Sequence, residues 1–251
     1  MDLGKALNGI SALTMHSLRG LLLSRKVIIT ALVALFVAFV MGYAGSQDVD
    51  ALSDGANLLD VLILFFFMPV MAMIFGSSLI RDEIDSKSIT HVATAPLDRA
   101  FAYIGYYVPL ALAVSASMIL ITTAGFLSFF IQQGVDRSAA DIYLAFTALV
   151  VIGSFVYSSL FLATSVLFKK PVFFGLFYAF IWEGFIGSIP GAIQKASVKH
   201  YLRSVGSEWV DYGDISGFDA SSMGASAAVL LGLTLFFLVF GAYLFREKEL
   251  S

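Results

Sequence analysis

Few residues in the sequence could do covalent chemistry. The best spaced are Ser77 and Ser78, which His91 follows after a short interval. A serine activated by a histidine is one basis of nucleophilic catalysis, and in an apolar chain it would suit an intramembrane protease. However, no G-x-S-x-G motif occurs, and His16 and His200 stand in distant segments. Proteolysis is therefore the least supported function, and we expect no catalytic residue in this chain.

Metal and nucleotide chemistry are equally weakly supported. Met68, Met71 and Met73 are soft ligands, but their spacing does not place all three on one face of a helix. Cysteine is absent, which excludes thiolate ligands and disulfides. No G-x-x-x-x-G-K-S/T motif occurs, so we expect this chain to bind no nucleoside triphosphate itself. The net charge of −3 gives no reason to expect a nucleic-acid partner.

The composition predicts a membrane protein. Of the 251 residues, 59% are hydrophobic and 24 are Phe, whereas soluble domains are about 45–50% apolar. Six apolar segments each approach the ~20 residues that a helix needs to cross a bilayer. We therefore predict an all-α polytopic protein with a single transmembrane domain over residues 1–251. The predicted spans are 27–43, 58–80, 101–131, 142–168, 171–189 and 226–245.

Lysine and arginine placement predicts the orientation. If both termini are cytoplasmic, most of the 15 basic residues lie inside, in agreement with the positive-inside rule. The basic residues then placed outside are Arg137, Lys195, Lys199 and Arg203. No cleavable signal peptide is evident, because the first strongly apolar run begins only at Val27. We also predict an N-terminal interfacial helix on the cytoplasmic side, before the first span.

The loop between the fifth and sixth spans, about residues 190–225, contains a predicted amphipathic helix. Its apolar residues recur at helical spacing, and its basic residues form another face. The apolar set is Val198, Tyr201, Leu202 and Val205, and the basic set is Lys195, Lys199 and Arg203. Two interpretations remain open. In one, the helix lies along the outer headgroups as an interfacial helix; in the other, it packs on the transmembrane bundle.

Glu183 interrupts the fifth span, within FIWEGFIGSIPG. Placing a carboxylate in lipid costs several kcal/mol, so such a residue normally faces a cavity or a partner. A role in gating or substrate contact and a structural role in hydrogen bonding are both consistent with this position.

The stretch RDEIDSKSITHVATAPLDR, residues 81–99, gathers charge between the second and third spans. Ile84, Ile89 and Val92 are its main apolar positions, and Pro96 ends any helix at or before Ala95. A short amphipathic helix lying flat beneath the membrane would act as a lever on both spans. The alternatives are a solvated loop and a docking surface for another protein.

These residues resemble the first cytoplasmic loop of ABC-2 type transporter membrane subunits. That loop typically has a Glu, a Gly-Thr step, a Pro-x-x-Arg and then a Gly-Lys. Glu83, Pro96 and Arg99 match, whereas Ser86 to Ser88 replace the Gly-Thr step and Gly105-Tyr106 replaces the Gly-Lys. The whole plan is similar to that of six-span permeases of the copper-site maturation and sodium-export type.

The resemblance implies a cytoplasmic coupling helix and a separate ATPase partner. In this family the ATPase subunit carries ATP and Mg²⁺, and the membrane chain itself binds no cofactor. Two copies of the chain would form the pathway with two ATPase subunits. The implied location is the cell membrane, with both termini cytoplasmic. The residues implied in ATPase coupling are Arg81, Asp82, Glu83, Asp85, Lys87, Pro96 and Arg99.

The second and fifth spans border the pathway in the resembling family. Their aromatic and methionine side chains suit a hydrophobic or amphiphilic substrate, most simply one that is exported. The implied pathway and gating residues are Phe66, Phe67, Met71, Phe174, Phe177, Trp182 and Glu183. Two other classes stay open: an ATP-independent channel or secondary transporter, and a membrane scaffold without transport.

Overall fold

The computed structural model describes residues 14–15, 18–21, 24–47, 50–85, 99–189, 191–210 and 218–247. Within these residues the secondary structure is entirely helical, with no strand. Of the predicted N-terminal interfacial helix, the structure describes residues 14–15 and 18–21, which are helical. Residues 86–98, which hold most of the predicted coupling helix, lie outside the described residues. The all-α prediction is confirmed for the described part of the chain.

Five helices are long and apolar enough to cross a membrane, and they match five of the six predicted spans. Two shorter helices, α5 and α6, lie between the fourth and last of these. The helices in chain order are α1 (Lys26–Gly45), α2 (51–85), α3 (Arg99–Gln133), α4 (Arg137–Leu167), α5 (Pro171–Phe185), α6 (Val198–Gly206) and α7 (Met223–Glu247).

Two short turns between consecutive long helices are built from local polar signals. The Asp50 side chain accepts hydrogen bonds from the backbone N–H groups of Leu52 and Ser53, which caps α2. The Asp136 side chain accepts from Ala139 N–H at 2.7 Å and caps α4. Gly134, with φ of 99°, takes the left-handed conformation that lets α3 turn into α4. These turns make neighbouring long helices antiparallel.

Two helices contain π-helical segments, in which the hydrogen bonds span five residues. In α2 this segment is Asp60–Phe67, and Met68 N–H donates to the Ile63 carbonyl. Pro69 follows at once; a proline lacks an N–H and excludes the carbonyl four residues earlier, which accounts for the loosened ladder. In α5 the π segment is Phe177–Phe185. The disturbance of the second span next to Pro69 therefore takes the form of a wide turn.

Helix α4 is the centre of the bundle and packs against α2, α3 and α7, while α1 packs on α3. Small residues allow close contact: a Cβ on Gly76 would meet Phe161 at 2.8 Å, and one on Gly45 would meet Phe129 O at 2.7 Å. The peripheral helices α1 and α7 turn large side chains outward; Phe39 is 75% exposed and Val239 is 70% exposed. Exposed apolar faces of this kind are favourable in contact with lipid and unfavourable in contact with water.

The predicted fifth span, 171–189, forms a helix shorter than a bilayer is thick. Helix α5 has 15 residues, about 22 Å at 1.5 Å per residue, against a hydrocarbon core of about 30 Å. A 3₁₀ turn, Ile186–Ser188, follows, and Ile189 takes the extended backbone that a residue before proline prefers. We call the end of the bundle where α1 begins and α4 ends the basic end, and the opposite end the α6 end.

Candidate functional site at the α6 end of the bundle

Helix α6 lies inside the bundle, in the space beyond the end of the short α5. Its apolar residues Leu202 and Val205 are 0% and 2% exposed. A Cβ on Gly153 would meet Leu202 at 3.1 Å, so α6 contacts the middle of α4. The basic residues on its other side, Lys199 and Arg203, are each 7% exposed.

The expectation of an outer interfacial helix whose basic side faces headgroups is therefore corrected. The structure supports the alternative in which the helix packs on the bundle. Lys199 and Arg203 turn inward because α2 and α5 present acidic and aromatic groups to them. Lys195 lies before α6 and is the exposed member of the set, with its ammonium 3.7 Å from Asp219.

Arg203 forms a buried ion pair with Asp60 of α2. Asp60 is 1% exposed and stands in the π segment of α2. A buried carboxylate needs such a partner, because an uncompensated charge in a low-dielectric interior is costly. Arg203 also places its guanidinium carbon 5.4 Å from the Phe218 ring.

Asp60 was missed by the sequence analysis. It falls within the predicted span 58–80, so an ionisable residue inside an apolar run was the signal that could have found it.

Lys199 reaches the same part of α2 by a different contact. Its ammonium lies 3.7 Å from the centroid of the Phe65 ring, which is a cation–π arrangement. Burial, followed by the nearby positive charge of Arg203, lowers the pKa of Lys199 from 10.5 to about 8, although the negative charges of Asp60 and Glu183 oppose this shift. At neutral pH, a larger fraction of Lys199 is therefore deprotonated than of an exposed lysine.

Glu183 of α5 holds the first turn of α6. Its carboxylate accepts hydrogen bonds from Val198 N–H at 2.9 Å and Lys199 N–H at 3.2 Å. The Tyr178 hydroxyl donates to it at 2.7 Å. Glu183 is fully buried, and a carboxylate at a helix N-terminus satisfies N–H groups that have no partner within the helix. These contacts give Glu183 a positioning role towards α6.

The segments on either side of α6 are tied to it by further hydrogen bonds. Trp182 donates its indole N–H to the Ala196 carbonyl at 3.1 Å, before the helix begins. Beyond the helix, Ser221 N–H donates to Ser204 Oγ at 3.1 Å, and Ser221 Oγ lies 3.0 Å from His200 Nε2. Burial lowers the pKa of His200, and Lys195 adds to this effect.

The residues that the resemblance places along a pathway fall into two groups. Phe66 and Phe177 are 40% and 50% exposed, and Phe66 lies 5.8 Å, ring centre to ring centre, from Phe180. Phe67 and Met71 are instead buried in the subunit core, at 6% and 0% exposure. Successive residues on a helix point in different directions, so a run of aromatics cannot all face one path.

The two remaining aromatic residues of that set contact neighbouring segments. Phe174 stacks on Phe168 at 4.8 Å, which joins α5 to the end of α4. The indole N–H of Trp182 is hydrogen-bonded to the Ala196 carbonyl. We call the exposed group Phe66, Phe177 and Phe180 the aromatic surface; it combines α2 and α5.

The predicted coupling residues that the structure describes lie at the basic end, far from α6. Arg81, Asp82, Glu83 and Asp85 continue the helix of the second span rather than starting a separate one. Arg99 is the first residue of α3. Lys87 and Pro96 lie outside the described residues. Among the described residues, no group of three or more His, Asp or Glu side chains could hold a metal ion.

The described residues form helices and no strand, and five of these helices are long and apolar enough to span a membrane. Asp60 and Glu183 are buried inside the bundle with polar partners, so the protein is a polytopic membrane protein. The family model described as ABC-2 family transporter protein matches residues 22–183, well over half of the chain. The chain therefore belongs to the ABC-2 transporter family. The matched region runs from the start of α1 to Glu183, so Asp60 and Glu183 fall inside it, and α6 and α7 lie beyond it. No curated protein matches the chain.

Proposed function

We propose that this chain is the membrane subunit of an ATP-driven exporter and works as a homodimer with two separate ATPase subunits. Membership of the ABC-2 family supports the assignment to an ABC transporter. The observation that carries the proposal is the charged end of α2, where Arg81, Asp82, Glu83 and Asp85 extend a membrane helix without a break. Because the α-helical part of α2, Met68–Asp85, is continuous, a displacement of its charged end would move the part of the same helix that lies in the membrane.

Lys87, Pro96 and Arg99 complete the proposed ATPase contact between α2 and α3. ATP and Mg²⁺ belong to the partner subunit in this proposal, since the chain lacks a phosphate-binding loop. The basic end would then face the cytoplasm, as the distribution of Lys and Arg predicts. Helix α5 would provide the sixth crossing together with the residues that follow it.

The aromatic surface is the proposed contact with the second copy and the border of the pathway. Phe66, Phe177 and Phe180 expose large rings side by side on α2 and α5. Exposed aromatic rings offer apolar area at low entropic cost, which suits a hydrophobic or amphiphilic substrate. The buried residues Phe67 and Met71 would support this surface from behind.

Helix α6 is the proposed closure of the pathway on the side away from the ATPase. It is held by Glu183 on α5 and by Asp60 on α2, the two helices that carry the aromatic surface. A relative movement of α2 and α5 would therefore strain both attachments of α6 at once. Glu183 and Trp182 would act in gating through their hold on α6 and not by contact with the substrate.

Co-purification with an ATPase subunit tests the proposal. Expression of the chain with an ABC ATPase subunit from the same genome should give a complex of two copies of each, and reconstituted complexes should hydrolyse ATP in a substrate-dependent way. The substrate probes would be fluorescent amphiphiles, followed from one side of a liposome to the other. Transport by the purified chain alone, without ATP, would instead favour a channel or secondary transporter.

A further inference from the structure

A cavity of about 410 Å³ lies between α4 and α7, next to the C-terminal end of α6. Val151 and Val156 line it from α4, Ala227 and Leu230 from α7, and Trp209 from the turn after α6. Val156 and Leu230 are 2% and 3% exposed, so the cavity reaches the interior of the bundle.

The other side of the cavity opens between two membrane helices. Leu231, which also lines it, is 65% exposed, and Met223 is 40% exposed. The opening therefore faces the medium that surrounds α4 and α7, which for a membrane protein is hydrocarbon. It is a crevice that runs from the lipid-facing surface to the buried residues of α4.

The lining offers almost nothing to a polar ligand. Among the residues that line the cavity, Thr234 carries a hydroxyl group. That hydroxyl already donates a hydrogen bond to the Leu230 carbonyl at 2.8 Å. An apolar cavity of this kind does not hold water, because a water molecule needs several polar partners. If it stayed empty, its lining would lose dispersion contacts along its whole length. A flexible apolar chain is the occupant that this chemistry favours.

Trp209 lies at the rim of the cavity, and its position indicates where the polar end of the occupant would lie. It is 41% exposed, and tryptophan is enriched where a bilayer meets water because its ring is apolar and its N–H is a donor. The crevice runs from this rim into the hydrocarbon, which is the path that one tail of a membrane lipid follows.

We propose that the crevice between α4 and α7 binds one acyl chain of a phospholipid from the leaflet on the α6 side, with its headgroup beside Trp209. The proposal does not depend on ATP-driven transport. It is also separate from the proposed dimer contact, since the aromatic surface lies on α2 and α5, which do not line the crevice. The bound chain would contact Val205 and so support the C-terminal end of α6.

Photo-crosslinking in liposomes tests this inference. The purified chain would be reconstituted in phosphatidylcholine vesicles that contain a phosphatidylcholine with a diazirine at the end of one acyl chain. Labelled positions would be located by mass spectrometry. We expect labelling at Val156 or Leu230, which lipid at the outer surface of the bundle does not reach.

Replacement of Ala227 supplies the matched comparison. Ala227→Phe should reduce labelling of Val156 about fivefold or more, because the ring fills the space that the acyl chain would take. Ala227→Leu should reduce it less and serves if the Phe variant does not fold. Gly232→Phe on the same helix should leave it unchanged, since a Cβ at Gly232 meets nothing within 4 Å.

Two results would overturn the proposal. One is labelling confined to outward residues such as Leu235 and Val239, which are 61% and 70% exposed, with none at Val156 or Leu230. A crevice filled by another part of the chain or by a second copy would give this pattern. The other is labelling of Val156 that Ala227→Phe leaves unchanged while the variant stays folded.

Discussion

Arg203 of α6 pairs with Asp60 of α2, a residue 143 positions earlier in the chain. Both side chains are almost fully buried, and Glu183 holds the other end of the same short helix. The Asp60–Arg203 ion pair and the Glu183 cap attach α6 to α2 and to α5. These are the two helices that move relative to each other in the proposed function.

Removal of one member of the ion pair should destabilise the fold. Asp60→Ala leaves Arg203 buried without its partner, and breaking a buried pair in this way typically costs about 3–5 kcal/mol. The double change Asp60→Leu with Arg203→Met should recover much of that loss, because no charge then stays buried. Thermal unfolding in detergent would measure both. The exposed pair Lys195–Asp219 is the control, and Asp219→Ala should cost about 0–1 kcal/mol.

Glu183→Gln should loosen the first turn of α6. The amide oxygen still accepts from Val198 N–H, but the amide nitrogen cannot accept from Lys199 N–H, and the charge at the helix N-terminus is lost. We expect a cost of about 1–3 kcal/mol. Hydrogen exchange of a peptide covering residues 198–206 should become faster. Tyr178→Phe, which removes a donor and keeps both backbone contacts, should have the smaller effect; an equal effect would contradict the capping role.

Lys199 should lose its charge near pH 8. Its pKa lies below 10.5 chiefly because of burial, so the folded protein releases this proton before the unfolded chain does. The unfolded chain then binds more protons between about pH 8 and pH 10.5, and the contribution of Lys199 to stability rises with pH across that window. The contact of its charged form with Phe65 is present below about pH 8 and is lost above it.

NMR of ¹³C-labelled lysine, assigned with a Lys199→Arg variant, would follow this titration. Asp60→Asn should lower the pKa of Lys199 further, because it removes a negative neighbour. Arg203→Met should raise it, because it removes a positive one. Titration of Lys199 near its ordinary value would show that its ammonium is not buried.

Glu83→Lys should weaken the proposed contact with the ATPase subunit. A charge pair at a partly hydrated interface contributes about 1–3 kcal/mol, so affinity should fall by about 5- to 150-fold. Binding of the ATPase to the chain in nanodiscs would measure this. Asp141→Lys, an equal reversal at an exposed position near the α6 end, should leave binding unchanged. Normal assembly and coupled hydrolysis by Glu83→Lys would show that the charged stretch 81–99 does not form the ATPase contact.

The orientation is testable because the natural chain has no cysteine. Cysteines at Val135 and Ser222, both exposed near the α6 end, should react with a membrane-impermeant maleimide in intact cells. Cysteines at Ser88 and Glu249 should react only after permeabilisation. Labelling of Ser88 from outside would reverse the topology and remove the coupling role of the charged stretch.

The membrane class, the helical architecture and the position of five long helices follow from the sequence alone. A bilayer offers no hydrogen bonds to a backbone, so about 20 consecutive apolar residues must form a helix that satisfies its own N–H and C=O groups. The turns before α2 and α4 also depend on neighbouring residues, because Asp50 and Asp136 accept hydrogen bonds from N–H groups two or three positions later. The amphipathic spacing of α6 was also visible, because a period of 3.6 residues is a property of neighbouring positions.

The tertiary structure decided where the faces of these helices point. Spacing alone could not tell whether Lys199 and Arg203 face headgroups or the bundle, because Asp60 and Phe65 belong to a helix far away in the chain. It could not separate the exposed Phe66 from the buried Phe67, since that depends on which side of α2 meets its neighbours. Nor could it assign Glu183 to the first turn of α6, because Val198 lies 15 positions further along the chain and meets Glu183 only after the intervening residues have folded back.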